Sequence, residues 1–181
     1  MVKHQCEVVL EFPLEVMVQR FLEDRESWQT DLISVKSIKG ILGKVGSIQE
    51  LTFLVGRREV KMTETVVAVD PNRLVFIYQA KGVWNRVSCT FESISPSKTK
   101  WVLHSEFKMK GLLRFFGWLM QSAFKKQSIR YMEQFKTYTE TTRGKTKAAF
   151  KSGNYIGSKV ATHTVYPVNA SMLQRVNHRL P

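Results

Sequence analysis

Acidic residues run out at Glu140: all 15 Asp and Glu lie at or before it, and the last 41 residues carry seven Lys or Arg and no acid. Residues 1–140 hold 21 of the 28 basic side chains, so they net +6, and the other seven positive charges of the +13 total belong to the C-terminal stretch. That division argues against a nucleic-acid-binding domain, because half of the excess charge lies outside the patterned part of the chain. Cysteine is scarce. Cys6 and Cys89 are too few for a disulfide scaffold and read as buried free thiols of a reducing, cytoplasmic compartment. The first residues, Met1-Val2-Lys3-His4-Gln5-Cys6-Glu7, lack the apolar run and small-residue cleavage site of a secretory signal. The most apolar stretch, Gly111 to Phe124, is about 14 residues long and contains Arg114, short of the roughly 20 a membrane span needs.

Catalytic and metal-binding spacings are also absent. The four histidines, His4, His104, His163 and His178, form no HxxxH or HExxH pair, and no CxxC, GxSxG or P-loop pattern occurs. No metal and no cofactor is expected from local motifs.

What the chain has is aromatic mass, with 11 Phe, 5 Tyr and 4 Trp, and a long succession of strand signals. Residues 4–12 read as a strand ended by Pro13, which suits the first turn of a helix. Leu14, Val16, Met17, Phe21 and Leu22 then recur at helical spacing, and a second short helical piece around Arg25 to Leu32 carries Trp28. Six strands follow, at 33–42, 47–55, 58–69, 73–80, 83–94 and 99–110. They are joined by Gly43 to Gly46, Gly56-Arg57, Asp70-Pro71-Asn72, Lys81-Gly82 and Ser95-Pro96-Ser97-Lys98. Such short turns require mostly antiparallel neighbours.

Residues 112–140 then place Leu113, Phe116, Met120, Phe124, Tyr131, Phe135 and Tyr138 on one helix face. A second stripe, Leu112, Phe115, Leu119 and Ala123, widens the apolar surface over the first half alone, more cover than a flat sheet contact requires. The second half reads as an ordinary surface helix. After Glu140 the periodicity stops. The expected organisation is a domain over 1–140 and a basic, largely irregular tail over 141–181.

This order of elements resembles the START-like helix-grip superfamily, which includes the polyketide cyclase/dehydrase-like and coenzyme-Q-binding proteins. The residues that carry the resemblance are Phe12-Pro13-Leu14-Glu15-Val16 with Asp24 and Trp28, Gly43 and Gly46, Asp70-Pro71-x-Arg73-Leu74, Phe91-Glu92 and Thr99. It covers about residues 4–140 and has no counterpart for the tail. It implies an α+β fold, a seven-stranded curved antiparallel sheet wrapped around a long C-terminal helix with a cavity between them. Many members bind apolar ligands in that cavity, and some are enzymes acting on aromatic polyketides. The implied strand order sets Cys6 and Cys89 two strands apart, roughly 9–10 Å and beyond disulfide reach.

Within that frame the expected function is binding, with possible transport, of a hydrophobic small molecule or lipid. The expected lining is Leu51, Phe53, Met62, Phe76, Tyr78, Val87, Cys89, Leu103 and Phe107, closed by Leu113, Phe116 and Met120. Each of these also fits a dry core. The alternative is a cyclase/dehydrase-like enzyme, for which Glu64 and His104 are the candidate bases. Glu64, mid-strand among apolar residues, is either a solvated side chain or an inward base. His104 and Glu106 share one strand face and form either an acid/base pair or a solvated pair. Tyr78 is either a hydrogen-bond donor to a ligand or a packed core residue. Lys108, Lys110, Arg114, Trp118, Lys125 and Lys126 suit peripheral contact with an anionic membrane or form a plain solvated face.

Overall fold

The computed structural model describes residues 1–23, 25–111 and 121–151, with residues 16, 19, 23 and 143–151 by backbone alone. Met1–Lys145 form one compact unit, and of the second unit, Thr146–Pro181, the helical residues 146–151 are described.

Alternating sequence becomes sheet wherever one face can be buried. Strand β1 (Val2–Leu10) is followed by a 3-10 turn (Leu14–Val16) and two short helices, α1 (Met17–Glu23) and α2 (Arg25–Trp28). Pro13 caps the 3-10 turn in an extended conformation, as its fixed φ allows. Strands β2 (Leu32–Lys39), β3 (Ile48–Val55), β4 (Arg58–Asp70), β5 (Arg73–Ala80), β6 (Val83–Ser95) and β7 (Lys98–Met109) then meander. The sheet order is β1-β7-β6-β5-β4-β3-β2, antiparallel throughout, so β1 and β2 are its edges. Gly56, at φ +64°, permits the two-residue β3–β4 hairpin that few other residues would tolerate. A bulge between Val66 and Ala68 of β4 adds local bend to the sheet.

Helix α3 spans Gln121–Lys151, and its stretch from Phe124 to Tyr138 packs on the inner face of the sheet. Met132 and Phe135 are buried with Phe21, Trp28, Phe76 and Trp101, and Phe21 and Trp28 meet the Phe135 ring edge to face, with centroids 5.5 and 5.0 Å away. The second half of the expected helix is amphipathic, with Met132 and Phe135 buried and Lys125, Lys126 and Arg130 exposed, as a surface helix packed on a sheet should be. The Thr99 hydroxyl donates to the Phe12 carbonyl at 2.7 Å and pins the exit of β1 to the start of β7.

Two expectations need correction or lie elsewhere. The helix continues past Glu140 to Lys151, so residues 141–151 of the expected irregular tail are helical. Of the second stripe, Ala123 is exposed, and Leu112, Phe115 and Leu119 lie outside the described residues.

Candidate functional site

Inward-facing residues of the meander line up in rows across the sheet. One row runs Gln49, Glu64, Tyr78, Asn85, Phe107 through β3 to β7 by direct cross-strand pairing. Four of its five members are polar, on a face that is mainly apolar elsewhere. On the adjacent row, Val66, Phe76, Val87, Ser105 and His4 pair in the same way.

Between this face and α3 lies a cavity of about 330 Å³. Its wall comes from Phe53, Val60, Met62, Phe76, Tyr78, Val83, Val87, Cys89, Leu103 and Phe107 of the sheet. Phe124, Gln127, Ser128 and Tyr131 of α3 face them, and Phe21, Arg25, Trp28 and Gln29 close the side toward α1 and α2. Phe107 and Phe124 stack with ring centres 4.2 Å apart, holding the start of α3 to the sheet.

Eight of the twelve expected lining residues therefore meet around one space: Phe53, Met62, Phe76, Tyr78, Val87, Cys89, Leu103 and Phe107. Leu51 does not. It is fully buried in a small cluster with Leu32 and Phe53, toward the β2 edge of the sheet. Leu113, Phe116 and Met120 lie outside the described residues.

Glu64 faces inward, contrary to its reading as a solvated strand residue, and is 0% exposed. It is not poised as a base. Arg25 grips it with two parallel bonds, Nη1 to Oε1 at 2.5 Å and Nη2 to Oε2 at 2.6 Å, and Gln49 Nε2 donates to Oε1 at 2.6 Å. A carboxylate bound by three donors on both oxygens is an anchor. Burial works against the Arg25 charge, but Glu64 and Tyr78 together outweigh it and raise the guanidinium pKa. Burial, then Glu64, pushes the Tyr78 phenol well above its ordinary value, so Tyr78 stays a neutral hydroxyl, 3.5 Å from Arg25 Nη2. Ser105 donates to Asn85 Oδ1 at 3.0 Å.

His104 is exposed on the outer face, across from Gln5 and Ser88, away from the cavity. Glu106 beside it is bound by Lys3 at 3.0 Å, which lowers its pKa. The two do not converge on a common point with Glu64. Among the described residues no group of His, Cys, Asp and Glu is arranged to hold a metal. Cys6 and Cys89 are both buried free thiols facing Leu103 from either side.

Sequence reasoning missed Arg25 and Gln29. The signal was present in Arg25-Glu26-Ser27-Trp28-Gln29: a helical step of three or four from Trp28 puts Arg25 on the buried face.

No family model and no curated protein matches this sequence. Solved structures do match in shape. A START superfamily protein from Mycobacterium smegmatis superposes with a TM-score of 0.67 at 8% identity, over 78% of this chain and 99% of that one. The Zhui aromatase/cyclase from Streptomyces sp. R1128 gives 0.65 at 11%, over 77% and 94%. Ara h 8.0201 gives 0.62 at 12%, over 77% and 97%. The chain has the helix-grip fold of the START-like superfamily. No described helix is long and apolar enough to cross a membrane.

Proposed function

We propose that this protein binds a hydrophobic small molecule or lipid in the cavity between sheet and helix. The observation that carries the reading is the cavity: about 330 Å³, walled mainly by Phe, Val, Met, Leu and Tyr, with a few polar groups at one side. That size and lining are those of a small-molecule pocket. Each roughly 100 Å² of apolar ligand surface removed from water contributes about 2.5 kcal/mol. The named neighbours, a START superfamily protein and an aromatase/cyclase, support binding of apolar or aromatic molecules by the same architecture. Carriage favours itself over catalysis here because Glu64 is tied to Arg25 and His104 lies outside the cavity.

The same end of the sheet supports a peripheral membrane role. Arg57, Arg58, Lys81, Lys108 and Lys110 are exposed on or beside the β3–β4, β5–β6 and post-β7 turns, next to the cavity residues Val60, Ala80 and Val83. Lys108 lies over the Trp84 ring at 4.5 Å. Lys125 and Lys126 are exposed on α3, while Arg114 and Trp118 lie outside the described residues. Basic groups beside these cavity residues suit an anionic bilayer. Flotation with vesicles containing phosphatidylserine should exceed flotation with phosphatidylcholine alone; equal flotation removes the membrane role.

Ligand binding itself is tested by native mass spectrometry and organic extraction of the purified protein. A co-purified apolar molecule of one or a few masses is expected. Protein that carries nothing and takes up no apolar probe contradicts the proposal.

A further inference from the structure

One turn of chain at α2 offers the cavity polar atoms that the protein leaves unmatched. Arg25, Trp28 and Gln29 all line the cavity and are 6%, 2% and 7% exposed. Their spacing of three and four residues stacks them on one helical face. Glu64 and Tyr78 occupy the two Nη atoms of Arg25. Its Nε–H has no hydrogen-bond partner, nor has the Trp28 indole N–H or Gln29 Oε1. Two donors and one acceptor are thus buried unpaired on this one turn of a mainly apolar wall, in which Trp101 Nε1 is a further unpaired donor. Buried polar atoms are nearly always paired, so such a cluster points to a group that comes from outside the chain.

The charge of that group follows from the ion pair behind it. Among the described residues Arg25 is the one charged residue in the cavity wall, and Glu64, fully buried, already balances it. A carboxylate or phosphate would set a second anion against a cation that is neutralised, inside a low-dielectric space. A neutral hydroxyl accepts from Arg25 Nε or Trp28 Nε1 and donates to Gln29 Oε1, meeting both kinds of unpaired atom with one group. We propose that this turn reads a neutral hydroxyl, so that the ligand is an uncharged apolar alcohol or phenol rather than a fatty acid or a phosphorylated lipid. The assignment rests on the hydrophobic-ligand reading above and narrows it.

Isothermal titration of the full-length protein at pH 7 with naphthalene, 2-naphthol and 2-naphthoate tests it. These probes share one apolar body and differ in the polar group. Expected is 2-naphthol about tenfold tighter than naphthalene, as one to two hydrogen bonds to buried unpaired atoms allow, with 2-naphthoate weaker than 2-naphthol. Trp28→Phe keeps a ring against Phe21 and Phe135 and removes the donor; Gln29→Met removes the acceptor and keeps the length. In each, the advantage of 2-naphthol should fall to about threefold or less while naphthalene binds as before. Gln29→Met carries the test alone if Trp28→Phe does not fold. A preference for 2-naphthoate, or an unchanged naphthol-to-naphthalene ratio in the folded variants, overturns the assignment. Naphthalene bound as tightly as 2-naphthol overturns it too and leaves the hydrophobic-ligand reading standing; binding of none of the three sinks both.

Discussion

Arg25 and Glu64 meet as a buried fork, the two Nη atoms on the two carboxylate oxygens at 2.5 and 2.6 Å, with side chains 7% and 0% exposed. The pair ties α2 to the middle of β4, and Gln49 joins β3 to the same carboxylate. This is what holds the α2 side of the cavity in place. Removing one partner strands the other charge, so Arg25→Ala or Glu64→Ala alone should cost about 3–5 kcal/mol in chemical denaturation. Replacing both, as Arg25→Met with Glu64→Leu, should recover most of that loss. A double variant as unstable as the worse single one contradicts the pairing.

His4 gives the fold a pH dependence of known sign. Burial, then the nearby Lys125 ammonium, holds its pKa below the ordinary 6.5, and its Nε2 lies 2.9 Å from Ser128 Oγ on α3. The folded protein therefore favours neutral His4, and the unfolded chain takes up the proton first as pH falls. Its contribution is complete above about pH 6.5 and is lost as pH drops through the lowered folded value. The melting temperature should decline between pH 7.5 and 5.5, and His4→Gln should decline less. Identical declines would remove His4 as the cause.

Both thiols should be silent in the native protein. Burial pushes Cys89 up to about 12, and burial raises Cys6 despite the opposing Lys125 charge. Leu103 of β7 sits between them in the sheet. Iodoacetamide at pH 8 should modify either one at least about a hundredfold more slowly than in the denatured chain. Rapid labelling of Cys89 in folded protein would mean the cavity wall opens there.

Much of this architecture was legible from local chemistry. The meander follows from alternating strands broken at Gly56-Arg57, Asp70-Pro71-Asn72 and Lys81-Gly82, each of which fixes a hairpin. Eight cavity residues followed from that alternation because no bulge intervenes along β5, or between Val83 and Phe91 of β6 and their β7 partners. Glu64 shares the parity of Met62, so its inward direction followed from the same alternation. What was illegible is its tolerance inside, set by Arg25, 39 residues away in sequence. A carboxylate in a strand carries no mark of a partner that tertiary structure supplies. Leu51 has the right parity but the wrong neighbourhood, since parity gives the face and not the distance along the sheet to the cavity.

The central claim, that the space beneath α3 takes up an apolar ligand, is tested most directly at Val87. This residue lines the cavity on β6 between Phe76 and Ser105, so Val87→Trp fills the space from its floor. Naphthalene titrated into wild-type protein should bind saturably at one site, and the variant, folded by circular dichroism, should bind at least about tenfold more weakly. Wild-type protein that shows no saturable binding, or a variant that binds as tightly as wild type, would contradict the account.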